Sequence, residues 1–253
     1  MPTDFSNLAF PLVGKRILVT GATSGIGLST CHGIAAAGGQ VICLGRVPEK
    51  LNSAMSKLTG SNHQAIVCDL AQPEGVAKAL SSLEPIDGVV YSAGVVIVAP
   101  VRFANIEKLH EVFGVNFDGF LGVCRYILRR NLLNPCGSIV VISSVLSRTA
   151  LVGNGLYSAS KAAVEALVRV MAIEIAGNGS RVNAVAPGFV RTPMTDALDK
   201  WMSPEQIDRH ELEYPLGFGK PSDVAHTVLF LLSDASRWIT GTTIVTDCGF
   251  SLR

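Results

Sequence analysis

Short apolar, β-branched runs alternate along this chain with stretches whose apolar positions recur at helical spacing. The runs Arg16–Thr20, Gln40–Leu44, His63–Cys68, Gly88–Tyr91, Ser138–Ser143, Arg181–Ala186 and Thr243–Thr246 predict seven strands. Helical spacing predicts helices over Ile26–Ala37, Pro48–Leu58, Pro73–Leu83, Ile106–Leu133, Tyr157–Ala176 and Ser222–Ser233. Strand and helix in turn, with strands apolar on both faces, is the pattern of a parallel sheet covered on both sides by its crossovers. The expectation is an α/β fold: a doubly wound, seven-stranded parallel sheet with helices on both faces. No composition shift, linker or internal repeat divides residues 1–253, so a single domain is expected. Only residues 192–219 resist the pattern. This stretch carries Met194, Trp201, Met202, Leu212, Tyr214 and Phe218, and reads either as a substrate lid or as a helical pair packed permanently on the body.

Composition narrows the class. Of 253 residues, 48% are hydrophobic and 16% charged, and the mean hydropathy is +0.39. That suits a sheet buried between helix layers and leaves apolar helix surface to be covered between subunits. A net charge of +1 carries no electrostatic footprint for nucleic acid. The most apolar segment, Gly88 to Pro100, is too short to span a membrane and is interrupted by Ser92 and Gly94. Met1 to Arg16 shows no basic region followed by an apolar stretch, so no signal peptide is expected and the cytoplasm is the expected location. Cysteines at 31, 43, 68, 124, 136 and 248 form no Cys-x-x-Cys pair, and the five histidines form no ligand cluster. Neither disulfides nor a metal site is expected.

Chemistry enters at the end of the first strand. Residues 20 to 27 read Thr-Gly-Ala-Thr-Ser-Gly-Ile-Gly, a glycine-rich turn that opens a helix and so suits a dinucleotide pyrophosphate. Gly21 permits the tight turn, Gly25 lets backbone approach the phosphates, and Gly27 lets the helix pack close to the strand. Thr23, Ser24 and Ile26 complete the cradle. The second strand ends at Gly45-Arg46, where an NAD site would carry a carboxylate for the ribose hydroxyls. A guanidinium there suits a 2′-phosphate, which favours NADP(H) and leaves NAD(H) as the alternative. Ser24 is a second candidate for that phosphate. Asp69-Leu70 ends the third strand beside the expected adenine, and Ser92-Ala93-Gly94 ends the fourth. Pro187-Gly188, Val190 and Thr192 follow the sixth, where they could hold the nicotinamide.

Downstream lie Ser144 and the pair Tyr157-x-x-x-Lys161, one helical turn apart. With these, the chain resembles the short-chain dehydrogenase/reductase family in its compact Rossmann-type form. The resemblance runs from Thr20 to Gly249 and rests on TGATSGIG, Asp69-Leu70, Asn116, Ser144 with Tyr157-Ser158-Ala159-Ser160-Lys161, and Pro187-Gly188. It implies that Tyr157 is the general acid in reduction and the base in oxidation, that Ser144 binds the substrate oxygen, and that Asn116 holds a relay water. It gives Lys161 the tyrosine's electrostatics and the nicotinamide ribose. A free tyrosine titrates near ~10, and bringing it to neutrality requires roughly 4 kcal/mol of differential stabilisation. Two departures stand out. Tyr91-Ser92-Ala93-Gly94 replaces the family's Asn-Asn-Ala-Gly, which puts support of the central sheet in question, and Asp247-Cys248-Gly249 replaces Asp-Gly-Gly.

The substrate is a small carbonyl or alcohol, and the nearest resemblance is to 3-oxoacyl-carrier-protein reductases and related ketoreductases. Val145, Leu146, Leu151 and Val152 predict a mostly apolar pocket, with Arg148 or Arg191 as the candidates for binding a carboxylate. Arg129-Arg130 is a candidate docking patch for an acyl carrier protein. The alternatives are a sugar, polyol or steroid-like alcohol dehydrogenase and, outside enzymes, a cofactor-binding regulator. The resemblance also implies a homotetramer or homodimer.

Overall fold

Seven strands assemble in one sheet: β1 (Arg16–Thr20), β2 (Gln40–Gly45), β3 (Gln64–Val67), β4 (Ile86–Tyr91), β5 (Leu133–Ile142), β6 (Arg181–Pro187) and β7 (Thr243–Thr246). All pairs are parallel, in the order β3-β2-β1-β4-β5-β6-β7. The structure, a computed structural model, describes residues 10–199 and 203–252. The helices are α1 (Gly25–Ala36), α2 (Pro48–Met55), α3 (Pro73–Ala79), α4 (Ile106–Phe113), α5 (Gly119–Arg129), α6 (Gly155–Glu174), α7 (Pro193–Asp199), α8 (Pro204–Glu211) and α9 (Pro221–Leu232).

Successive strand side chains point to opposite faces, and both faces are apolar. Leu18, Ile42, Val89, Ile139 and Val182 pack under Phe120, Val123 and Ile127 of α5 and Val164 and Val168 of α6. Ile17, Val19, Val41, Val90 and Val140 pack under Cys31 and Ile34 of α1 and Val228, Leu229 and Leu232 of α9. From β1 the chain winds outward to β3, then crosses back to β4 and winds the other way. The crevice at that reversal, beyond the carboxyl ends of β1 and β4, is where such sheets bind ligands.

The predicted helix 106–133 is corrected in two places. A π turn over Gly114–Asp118 divides it, and it ends at Arg129. Asn131 takes a left-handed φ of 51°, and the Leu132 amide donates to the Ile127 carbonyl at 2.9 Å. That geometry stops a helix, and asparagine tolerates it better than most residues. Strand β5 therefore starts five residues before the predicted Ser138, through a register shift against β4.

The unusual Tyr91-Ser92 keeps the central sheet joined by other means. Thr20 Oγ1 accepts from the amides of both Ser92 and Ala93 at 3.1 Å. The buried Tyr91 hydroxyl donates to the Val115 carbonyl, and its ring meets Phe120 edge-on. Within 192–219 the structure places α7 and α8, while Trp201 and Met202 lie outside the described residues. Among the described residues no helix is long and apolar enough to cross a membrane, and no His, Cys, Asp and Glu cluster has the makings of a metal site.

Candidate active site

A cleft of about 310 Å³ opens over the switch point. Its floor is the glycine-rich turn, with Gly21, Thr23, Ser24, Gly25 and Ile26 on the wall. Gly21 has a φ of +64°, and a Cβ there would sit 2.9 Å from the Ala93 amide nitrogen, so the turn admits no side chain. Gly27 is the one residue expected at the cofactor that does not line the cleft. It lies beneath it, where a Cβ would strike the Gly21 carbonyl oxygen at 2.2 Å, so its part is to let α1 close onto β1. Ser24 precedes α1 in an extended conformation without capping the helix, and the first turn of α1 carries no acidic residue. Its amides are thus left for an anion, which is what a pyrophosphate requires.

The adenosine end is formed by Gly45, Arg46, Cys68, Asp69 and Leu70. Arg46 is exposed and makes no hydrogen bond or ion pair among the described residues. Asp69 is also exposed, with Oδ1 accepting from the Ala71 amide at 3.1 Å. No carboxylate stands at the end of β2. Ser92, Ala93 and Gly94 line the middle of the cleft, and Pro187, Gly188, Val190 and Thr192 line its far wall.

At the far end stand Ser144, Tyr157 and Lys161. Ser144 follows β5 by two residues; its hydroxyl accepts from the Leu146 amide at 3.2 Å and shares the cleft with Tyr157, whose phenol it pulls down. Tyr157 and Lys161 share one face of α6. The Lys161 ammonium lies 5.6 Å from the tyrosine ring centroid and donates to the Ile142 carbonyl at 2.8 Å. Burial pushes the Tyr157 phenol up to about 12 against the opposing pull of the Ser144 bond, and pushes Lys161 down to about 8.

Asn116 sits in the π turn, fully buried, and does not line the cleft. Its amide is engaged at both ends: Oδ1 accepts from the Val95 amide at 2.8 Å, and Nδ2 donates to the Val95 carbonyl and to Ser160 Oγ, each at 3.0 Å. The side chain thereby ties the segment after β4 to α6, which holds the cleft walls in place.

Sequence reasoning missed Glu165. One turn after Lys161 on α6, its buried carboxylate accepts from Ser143 Oγ and Ser147 Oγ at 2.7 Å each. It also pairs with Arg148 at 3.0 Å. The signal was present in the sequence as a charge i+4 from Lys161 on an otherwise apolar helix face.

The same geometry removes the polar candidates for substrate binding. Arg148 is committed to Glu165, and Arg191 lies 3.5 Å from Glu211 and 4.6 Å from the Phe218 ring centroid. Arg129 and Arg130, at the carboxyl end of α5, lie before the amino-terminal end of β5, the opposite end of the strands from the cleft.

A phosphate cradle and a proton-transfer cluster that share one cleft at a sheet's switch point are what a pyridine-nucleotide oxidoreductase requires. The chain is an NAD(P)-dependent oxidoreductase acting on CH–OH and C=O groups, and it belongs to the short-chain dehydrogenase/reductase family. Residues 21–251 match the family described as Enoyl-(Acyl carrier protein) reductase. L-xylulose reductase of Mus musculus is 35% identical, over 94% of this chain and 97% of its own. The 3-oxoacyl-[acyl-carrier-protein] reductase of Rickettsia conorii is 34% identical over the same shares. Among solved structures, a putative NAD(P)-dependent gluconate 5-dehydrogenase from Beutenbergia cavernae with bound NADP is 34% identical. It superposes with a TM-score of 0.87, over 96% of this chain and 99% of its own.

Proposed function

We infer that the protein is an NADP(H)-dependent reductase that converts a ketone to a secondary alcohol, with the reverse reaction open to the same groups. The observation that carries this reading is the meeting of Ser144, Tyr157 and Lys161 in the glycine-cradled cleft. The first-turn amides of α1 would hold the pyrophosphate, Arg46 the 2′-phosphate, and Val190 and Thr192 the nicotinamide amide. Bound there, the cofactor supplies the hydride that the carbonyl carbon accepts.

The chain's own residues handle the proton. As the carbonyl becomes an alkoxide, the Ser144 hydroxyl donates a hydrogen bond to the oxygen and the Tyr157 hydroxyl gives it a proton. The phenolate left behind is stabilised by the Lys161 ammonium, one helical turn away. Burial raises the Tyr157 phenol, so the hydroxyl carries the proton that reduction consumes, and oxidation must first remove it. Met194, in the first turn of α7, lines the cleft, and after β6 Phe189 and Phe218 meet at 4.2 Å with His210 edge-on to both.

Titration of the purified protein with NADPH and NADH tests the cofactor reading. NADPH is expected to bind at least about tenfold tighter, and Arg46→Asp to reverse the order. Equal binding by the unaltered protein would refute Arg46 as the phosphate ligand.

The chain also leaves apolar side chains bare on helices of one layer, Ile106 on α4, Leu121 on α5, and Val170 and Ile173 on α6, Ile173 being 84% exposed. Covering them is the physical case for a homodimer or homotetramer. Sedimentation at micromolar concentration should show one of these; a monomer alone would refute it.

A further inference from the structure

Beyond the reacting carbonyl, the cleft is lined by the segments after β4 and β6, and a third segment, after Ser144, lies beside it. After Ser92, the segment that follows β4 reads Ala93-Gly94-Val95-Val96-Ile97-Val98-Ala99-Pro100-Val101, without a further polar side chain. Gly94 and Val95 line the cleft, and the Ala99 amide donates to the Gly153 carbonyl at 2.8 Å, seating this wall against the next.

The segment Val145 to Asn154 leads away from Ser144 beside the cleft, and the residues expected to form an apolar pocket there, Val145, Leu146, Leu151 and Val152, do not line it. Ser147 and Arg148 are both bound to Glu165. Thr149 Oγ1 donates to the Val145 carbonyl at 3.0 Å, and Asn154 Nδ2 to the Val152 carbonyl at 3.4 Å. Leu151 and Val152 meanwhile stay exposed, Val152 by 87%.

The other lining segment follows β6. Thr195 Oγ1 donates to the Val190 carbonyl at 2.8 Å and accepts from the Thr192 amide at 2.9 Å, so its proton is committed to the backbone. Arg191 pairs with Glu211, and Met194 turns into the cleft.

We propose that the substrate is an uncharged ketone, or its secondary alcohol, whose remaining groups are apolar, aliphatic chains or rings rather than a polyol or a keto acid. The proposal rests on the reductase reading above and deepens it. A sugar would bring several hydroxyls against Val95 and Met194 in the cleft, and each hydroxyl buried there without a partner weakens binding. A keto acid would need a cation, and both arginines flanking this end already face carboxylates. The apolar groups of a neutral ketone leave no such debt and remove the exposed rim from water.

The test is a kinetic panel on the full chain with NADPH. Cyclohexanone, acetophenone and 2-octanone are set against L-xylulose, D-fructose and acetoacetate. The best apolar ketone is expected to exceed every sugar and acetoacetate in kcat/KM by about 100-fold or more. Met194→Asn is expected to narrow that gap by about tenfold. Turnover of a sugar or of acetoacetate at equal or higher kcat/KM overturns the apolar class while leaving the reductase standing. An unchanged gap in the Met194 variant also counts against the class. If no carbonyl is reduced although NADPH binds, the reductase reading falls and this proposal falls with it.

Discussion

Tyr157→Phe is expected to lower kcat/KM for ketone reduction by about 10³-fold or more while NADPH binding persists. The substitution removes one oxygen. The ring still fills its place on α6, so the loss reads out proton donation rather than folding. The pH dependence follows from the same geometry. Reduction requires Tyr157 protonated and Lys161 charged. Burial lifts the phenol to about 12, so across neutral pH the tyrosine is not limiting in this direction. Lys161, lowered to about 8, loses its proton first, so kcat/KM for reduction is expected to be flat below that pH and to fall above it. Alcohol oxidation requires the phenolate, whose population grows with pH, so its rate is expected to rise through the neutral range. Stopped-flow or steady-state rates from pH 6 to 10 check both directions. Reduction that rises with pH, or a phenylalanine variant that keeps its turnover, would reverse the assignment of Tyr157.

The strands were legible in the sequence because a doubly covered parallel sheet demands β-branched residues on both faces. The glycine turn was legible because the close approaches at Gly21 and Gly27 leave no room for a side chain. The residues placed at the cofactor fall on one cleft because strand ends converge there, and chain order alone reveals strand ends. Three features were not legible. The π turn around Asn116 depends on tertiary bonds to Val95 and Ser160, contributed by segments 21 and 44 residues away. The early start of β5 depends on a left-handed Asn131, which helical periodicity does not register. The engagement of Arg148 and Arg191 depends on Glu165 and Glu211, so two cations that look free in the sequence are spent in the fold.

Glu165 follows from that last lesson, because it couples the two pieces that carry the chemistry. Ser144 rides on the turn between β5 and α6, while Tyr157 and Lys161 ride on α6 itself. One buried carboxylate holds Ser143, Ser147 and Arg148 of that turn against that helix. Glu165→Ala leaves the Ser143 hydroxyl and the Arg148 guanidinium without their acceptor, while Ser147 keeps the Ser144 carbonyl at 2.7 Å. Removing one partner of a fully buried pair costs about 3–5 kcal/mol. The Arg148 side chain is half exposed, so water takes up part of that loss and a cost of about 2 kcal/mol is expected. For a chain of this length that corresponds to a Tm lower by about 5–8 °C. The functional effect is the sharper one. With Ser144 free to drift from Tyr157, kcat is expected to fall by about 10²-fold, since misplacing a reacting group by about 1 Å has that effect. The KM for NADPH, set at the other end of the cleft, is expected to hold. Glu165→Gln keeps an acceptor for the two serines but not the charge for Arg148, so it should restore most of kcat while recovering only part of the Tm. An alanine variant that loses stability with kcat intact would mean that Glu165 supports the fold alone, and that Ser144 is held by its own turn and the Leu146 amide.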